Sequence, residues 1–240
     1  GWKLIVADAS QLEPRILAGM AADRGMVEAG RAGDLYAGIV ATGAVKTRDE
    51  AKVAMLGAMY GATTGESGRL MPALTRAFPQ AIGLVENAAR AGERGERVTT
   101  RLGRSSPVPG EEWHDIQSRA SAEGATEAAQ SRARTEARSW GRFTRNFVVQ
   151  GTAAEWAMCW MASLRRRLHE LAGGSWITRS AHLVFFMHDE VVVHCPAEQA
   201  DAVTQAIREA AIEAGLLLFG SLPVEFPLTI AVVDNYGQAK

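Results

Sequence analysis

Leu183 to Cys195 read LVFFMHDEVVVHC, two apolar runs that meet at His188-Asp189-Glu190. Short runs rich in β-branched and aromatic residues, broken by a polar group, predict a strand, a tight turn and a strand. Working outward, KLIVAD (residues 3–8) predicts a buried strand that ends at Asp8, and LTIAVVDN (residues 228–235) predicts a final strand. Much of the chain between these ends has the period of a helix. Strands at both ends with helices between them define an α+β chain, an antiparallel sheet assembled from both ends with a helical subdomain inserted.

The helical part reads as follows. SQLEPRILAGMAAD (residues 10–23) sets Leu12, Ile16, Leu17 and Met20 on one side, with Pro14 in the first turn. From Asp34 to about Ala89 the pattern stays mostly helical, interrupted by GATTGESG (residues 61–68) and punctuated by Pro72 and Pro79. GERGERVTTRLGRSSP then predicts a turn, a short strand over Val98 to Thr100 and a second turn at Gly103. The polar, Ala/Ser/Glu-rich stretch from Pro107 to about Arg138 is either a helix or a mobile insertion. Helix returns from Ser139, with a junction at Gly151-Thr152 and Arg165 to Arg167 suited to a C-terminal turn. AEQADAVTQAIREAAIEAG (residues 197–215) is an amphipathic helix.

Composition narrows the class. The chain has 240 residues, 47% hydrophobic and 22% charged, enough for a substantial core and unlike a disordered tail. No stretch reaches the roughly 18 apolar residues of a membrane span, and the N-terminus lacks the pattern of a signal peptide, which predicts a cytosolic location and no membrane partner. Cys159 and Cys195 lack zinc-site spacing and are too few for a disulfide scaffold, so buried free thiols are expected. Lys and Arg number 26 against 27 Asp and Glu, so net charge does not mark a strongly basic nucleic-acid binder. Arginines nevertheless crowd the interior at Arg90, Arg94, Arg97, Arg101, Arg104, Arg132, Arg134, Arg138, Arg142 and Arg145, either along one cleft or on a solvated helix face. The missing initial methionine and the immediate strand suggest a fragment of a longer chain.

Asp8 at a strand end is placed to offer oxygen to a hard cation or to serve as a cap, and Asp189-Glu190 is equally an acidic hairpin tip or a ligand pair. Carboxylates that meet at the ends of one sheet repel unless a cation neutralises them. Arg48, Lys52, Leu56 and Tyr60 recur every fourth residue along one helix face, a layout for a triphosphate and a stacked base as well as for an amphipathic surface helix.

Taken in order, DASQLEPR, RDEAKVAMLGAMYG and HDE resemble motifs A, B and C of the family A DNA polymerases, DNA polymerase I-like. VTTRLGR and NFVVQGTAAEW resemble the hairpin and helix between B and C. The resemblance spans nearly the whole chain except about Pro107 to Glu136. It implies an antiparallel palm sheet with an inserted helical fingers subdomain: residues 1–30 the first part of the palm, 31–140 the fingers with an insertion at about 107–136, and 141–240 the second part of the palm, the thumb being absent. It implies that Asp8 and Asp189 hold two Mg2+ ions, with Glu190 an auxiliary acid and Lys52 an aid to pyrophosphate departure. Gln11, Glu13, Tyr36, Arg48, Lys52, Leu56 and Tyr60 would contact the deoxynucleoside triphosphate, Glu13 as the gate against a ribose 2′-hydroxyl, with Gly61 beside the nascent pair and Arg15 in support. Arg142, Asn146, Gln150 and His188 would contact primer-template DNA. A cytoplasmic, nucleoid-associated role in replication or repair follows.

The sequence departs from the family pattern in places. Leu56 replaces a usual aromatic ring, Ala9 a usual tyrosine, Tyr36 a usual histidine and Phe186 a usual polar residue. The set is similar to actinobacterial members in which a 3′-5′ exonuclease-like domain precedes the core. Intact Asp8, Lys52 and Asp189 favour a polymerase core; Leu56 and the absent thumb favour a catalytically weak module that binds primer-template DNA; a metal-dependent nuclease would need the carboxylates but not the Lys52–Tyr60 helix.

Overall fold

The computed structural model describes every residue except Ala32, Thr63, Ser175, Ile177, Thr178 and Lys240. Strand β1 (Trp2–Ala9) carries consecutive buried residues Ile5, Val6 and Ala7, as a central strand requires. It pairs antiparallel with β3 (Glu190–Pro196) on one side and β4 (Leu228–Val233) on the other. Among the described residues β2 (His182–Met187) pairs only with β3, antiparallel, giving the order β2-β3-β1-β4. The strands thus come from both ends of the chain.

Between β1 and β2 lie α1 (Leu12–Ala21), α2 (Arg24–Gly30), α3 (Leu35–Ala41), α4 (Arg48–Tyr60), α5 (Gly65–Ala77), α6 (Pro79–Glu93), α7 (Glu111–Ser121) and α8 (Glu127–Ala172). The α8 helix has 46 residues, a spine of roughly 69 Å at 1.5 Å per residue. Its buried Trp156 packs on Phe226, and Trp160 donates from Nε1 to the Ile207 carbonyl of α9 (Ala200–Phe219) at 3.0 Å. The α9 helix contacts β1, β3 and β4 and closes that side of the sheet with Val203, Ile207, Ala210 and Ala214. Among the described residues no helix is long and apolar enough to cross a membrane.

Several local expectations change. Pro72 lies inside α5 instead of ending a helix; it is exposed, so water can take the Gly68 carbonyl that proline cannot bond. Gly151 and Thr152 form no junction, because buried Val148, Val149, Ala153 and Trp156 hold the helical period through a glycine that costs about 1 kcal/mol by itself. Arg165 to Arg167 precede the end of α8, and Arg166 and Arg167 pair with Glu170, Glu209 and Glu213. The strand expected over Val98 to Thr100 reduces to one bridge, Thr99 to Ser105. The stretch from Pro107 to Arg138 is ordered as α7 and the start of α8, and α8 runs unbroken through residue 140. Cys195 is buried and Cys159 half-buried, both free thiols.

Candidate active site

Strand register brings the acidic landmarks together. Asp8 lies opposite Glu190 in the β1–β3 ladder, and the Ala9 N–H donates to the Asp189 carbonyl at 2.9 Å. Asp189 sits in the β2–β3 turn beside His188, whose φ of 58° is the left-handed conformation that reverses the chain there. Asp8 and Asp189 are therefore at the same end of adjacent strands. Glu190 is buried and accepts a 2.5 Å hydrogen bond from the Tyr236 hydroxyl, a partner not anticipated from the sequence.

Beside this edge is a cleft of about 490 Å³. Gln11, Leu12, Glu13 and Pro14 line it from α1, Tyr36 from α3, Leu56 and Met59 from α4, Gln150, Ala153, Ala154 and Met158 from α8, and Phe186, His188 and Asp189 from the hairpin. Met59, Met158 and the α8 alanines join the expected residues. Their signal, apolar positions at helical spacing, reads equally as core.

The α4 helix starts at a capping box in which Thr47 and Glu50 satisfy each other's backbone N–H groups. Its C-cap, Gly61, has φ +75°, and a Cβ there would come within 2.9 Å of Arg142 Cγ, so both conformation and packing require glycine. Tyr60, one residue earlier, donates to Glu13 at 2.8 Å, and Gln150 donates to the Tyr60 hydroxyl at 2.9 Å and to Glu13 at 3.2 Å. Asn146 reaches the same hydroxyl. Burial, reinforced by the Glu13 carboxylate, pushes the Tyr60 phenol above its ordinary pKa, so it is a neutral donor at physiological pH. Lys52 is exposed one helical turn before Leu56.

At the other end of α4, Arg48 donates from Nε to Asp34 at 2.6 Å and lies 5.5 Å above the centre of the Tyr36 ring. Asp34 also caps α3 and accepts from Gln11 at 2.7 Å, linking α1, α3 and α4. Its signal in the sequence was only that of an N-cap. Partial burial pushes its pKa up, but hydrogen bonds from Arg48, Gln11 and the Ala37 N–H, with the Arg48 charge, outweigh that and hold it at about 2. Because the folded value lies below the unfolded value of about 3.9, the link stabilises the fold above about pH 4 and fades as pH falls through about 2. The stability difference between the parent and Asp34→Asn, followed by urea denaturation, is expected to be flat from pH 5 to 8 and to shrink between pH 4 and 2. A difference independent of pH would refute the link.

The interior arginines do not gather along one cleft. Arg94 pairs with Glu96 and Arg132 with Glu112, while Arg145 is buried against Glu86 and the Ala58 carbonyl. Arg142 packs on Gly61, and Arg104 touches Met158 at the cleft wall.

The sequence profile described as DNA polymerase family A matches residues 1–238. The chain belongs to DNA polymerase family A. This family A chain is 27% identical to the thermostable DNA polymerase I of Thermus aquaticus over 97% of its own length and 26% of that protein. It is 25% identical to DNA polymerase I of Chloroflexus aurantiacus over 99% of its length and 24% of the relative, so it spans about a quarter of the curated relatives it matches. Among solved structures, the POL domain of Pol1 from M. smegmatis, in complex with DNA primer-template and dNTP, superposes with a TM-score of 0.69 at 19% identity, covering 99% of this chain and 40% of that one. The fold of the family A chain is thus the α+β arrangement of that POL domain, a four-stranded antiparallel sheet with helices inserted between its strands.

Proposed function

We propose that this chain carries the site at which a template-directed DNA polymerase adds deoxynucleotides to a primer 3′-hydroxyl. One observation carries the reading: the strand ends bearing Asp8 and Asp189 adjoin a cleft whose walls come from α1, α4 and α8, the elements that hold the motif residues. The M. smegmatis domain with this fold binds primer-template and dNTP, which makes those the partners proposed here. The proposed division is palm at 1–30 and 141–240 around fingers at 31–140.

Asp8 and Asp189 fit Mg2+ by donor chemistry. Among the described residues there is no cluster of three or more potential ligands, and Mg2+ is commonly held by one or two carboxylates with substrate phosphates and water. When bound, two ions would lower the pKa of the primer hydroxyl and neutralise charge on the triphosphate. The chain's own residues do the rest. Arg48 and Lys52 bind phosphate oxygens, and Lys52 Nζ delivers a proton to the departing pyrophosphate. Glu13, held by Tyr60 and Gln150, fills the space a 2′-hydroxyl would need. Arg142, Asn146 and Gln150 contact the template-primer and His188 the primer end.

Leu56 lines the α4 wall of the cleft where the family usually places an aromatic ring against the incoming nucleotide. Leu56→Phe is expected to lower the nucleotide KM about fivefold or more, since a base–aromatic stack contributes about 1–3 kcal/mol. Steady-state incorporation kinetics that show no change would sink this assignment.

The function itself is tested by magnesium- and template-dependent extension of a labelled primer by the full-length protein. Incorporation of the complementary nucleotide is expected. Binding without extension would leave a polymerase fold that serves as a DNA-binding module.

A further inference from the structure

The Thr99–Ser105 loop is a small device that the proposed function does not absorb. Its ends meet through the Thr99–Ser105 bridge, and Thr100 N–H donates to the Arg104 carbonyl at 3.0 Å. Gly103 N–H closes the turn on the Thr100 carbonyl at 3.1 Å, with φ +91° at Gly103. A loop of this size on the surface is ordinarily mobile. Here it is seated on α8.

Glu155, 4% exposed, supplies the seat. One of its carboxylate oxygens accepts from the Thr100 hydroxyl and the other from the Leu102 N–H at 2.9 Å. One turn earlier, Thr152 Oγ1 accepts from the Arg101 N–H at 3.0 Å. Gly151 completes the fit: a Cβ there would lie 2.5 Å from Thr100 Cγ2, so any larger residue would force Thr100 to shift from its place on the helix. Three consecutive loop residues are thereby anchored by a glycine, a hydroxyl and a buried carboxylate on one face of α8.

The anchored loop presents Arg104. Its backbone N–H is tied to the Thr100 hydroxyl at 3.0 Å, while its exposed guanidinium touches the sulfur of Met158 at 3.9 Å. Met158 lines the cleft. A thioether does not neutralise a guanidinium, and a cation fixed beside a nucleic-acid cleft suits a phosphodiester. Fixing the loop in advance removes the ordering cost that binding would otherwise carry.

We infer that Glu155 is a positioning residue for Arg104, and that Arg104 takes a backbone phosphate of the nucleic-acid strand at the Met158 wall. This rests on the polymerase reading above. The test is fluorescence anisotropy of the full-length protein with a labelled primer-template between 50 and 200 mM salt, the range being a choice of conditions over which phosphate contacts register. Arg104→Ala is expected to weaken binding about tenfold and to reduce the slope of log affinity against log salt by about one. Glu155→Gln, which keeps one acceptor oxygen in place of two, is expected to weaken binding about threefold in the parent and to have no further effect in the Arg104→Ala background. An unchanged salt slope in Arg104→Ala overturns the inference even if Glu155→Gln fails to fold. So does a Glu155→Gln effect of equal size in both backgrounds, which would make Glu155 merely structural. Failure of the parent itself to bind primer-template would instead remove the polymerase reading on which the inference stands.

Discussion

Asp8→Asn and Asp189→Asn are each expected to lower magnesium-dependent primer extension by about 10³-fold or more while primer-template binding survives. Asparagine matches aspartate in shape and keeps one oxygen, so what is lost is negative charge where hard cations would sit. The fold should tolerate the change. Both residues lie at partly exposed positions at strand ends, and the Ala9-to-Asp189 pairing that fixes them is between main-chain atoms. Stability is expected to stay within about 1 kcal/mol of the parent. Glu190→Gln should have a milder effect on extension, because that carboxylate is buried and engaged by Tyr236. Single-turnover incorporation beside a binding assay distinguishes the cases. Parental rates in both Asp variants would refute the proposed site.

Arg15→Met is expected to destabilise the protein by about 3–5 kcal/mol, and it also removes the 3.4 Å hydrogen bond that Arg15 donates to Gln11 at the proposed nucleotide site. Arg15 is 1% exposed. Its guanidinium donates to the carbonyls of Ser10 at 3.1 Å, Gly30 at 2.9 Å, Gly33 at 2.5 Å and Glu225 at 3.1 Å. Burial lowers its pKa, an effect partly offset by Glu225 and Asp34, yet a guanidinium remains charged at any physiological pH. Methionine would fill much of the volume and leave those carbonyls unsatisfied in the interior. Arg15→Lys should recover part of the loss only, since one ammonium cannot reach carbonyls spread around a planar fork. Urea denaturation measures both variants. A methionine variant as stable as the parent would mean that water replaces the guanidinium at little cost.

Arg15 also illustrates what was legible. The resemblance of DASQLEPR to a family motif marked it as a supporting residue, but nothing in the local pattern named Glu225, 210 positions away, as its partner. The same holds for Asp34. An aspartate before a helix announces a cap, and the cap is there; that it would also hold Arg48 and Gln11 depends on how α1, α3 and α4 pack. At Gly151-Thr152 local propensity pointed the wrong way. A glycine beside a β-branched residue weakens a helix, yet the tertiary contacts of Val149, Ala153 and Trp156 carry α8 straight through, and the glycine serves the loop seated on it.

By itself the sequence determined the strands at both ends, most of the helices between them and the order of the family motifs, because side-chain period and short motif strings are properties of neighbouring residues. Only the tertiary structure decided that β1 lies between β3 and β4, that Asp8 and Asp189 share one end of the sheet, that Glu190 is occupied by Tyr236, and that a buried glutamate seats the Arg104 loop. Those outcomes depend on hydrogen bonds and packing between segments far apart in the chain, whose geometry exists only once the core has formed.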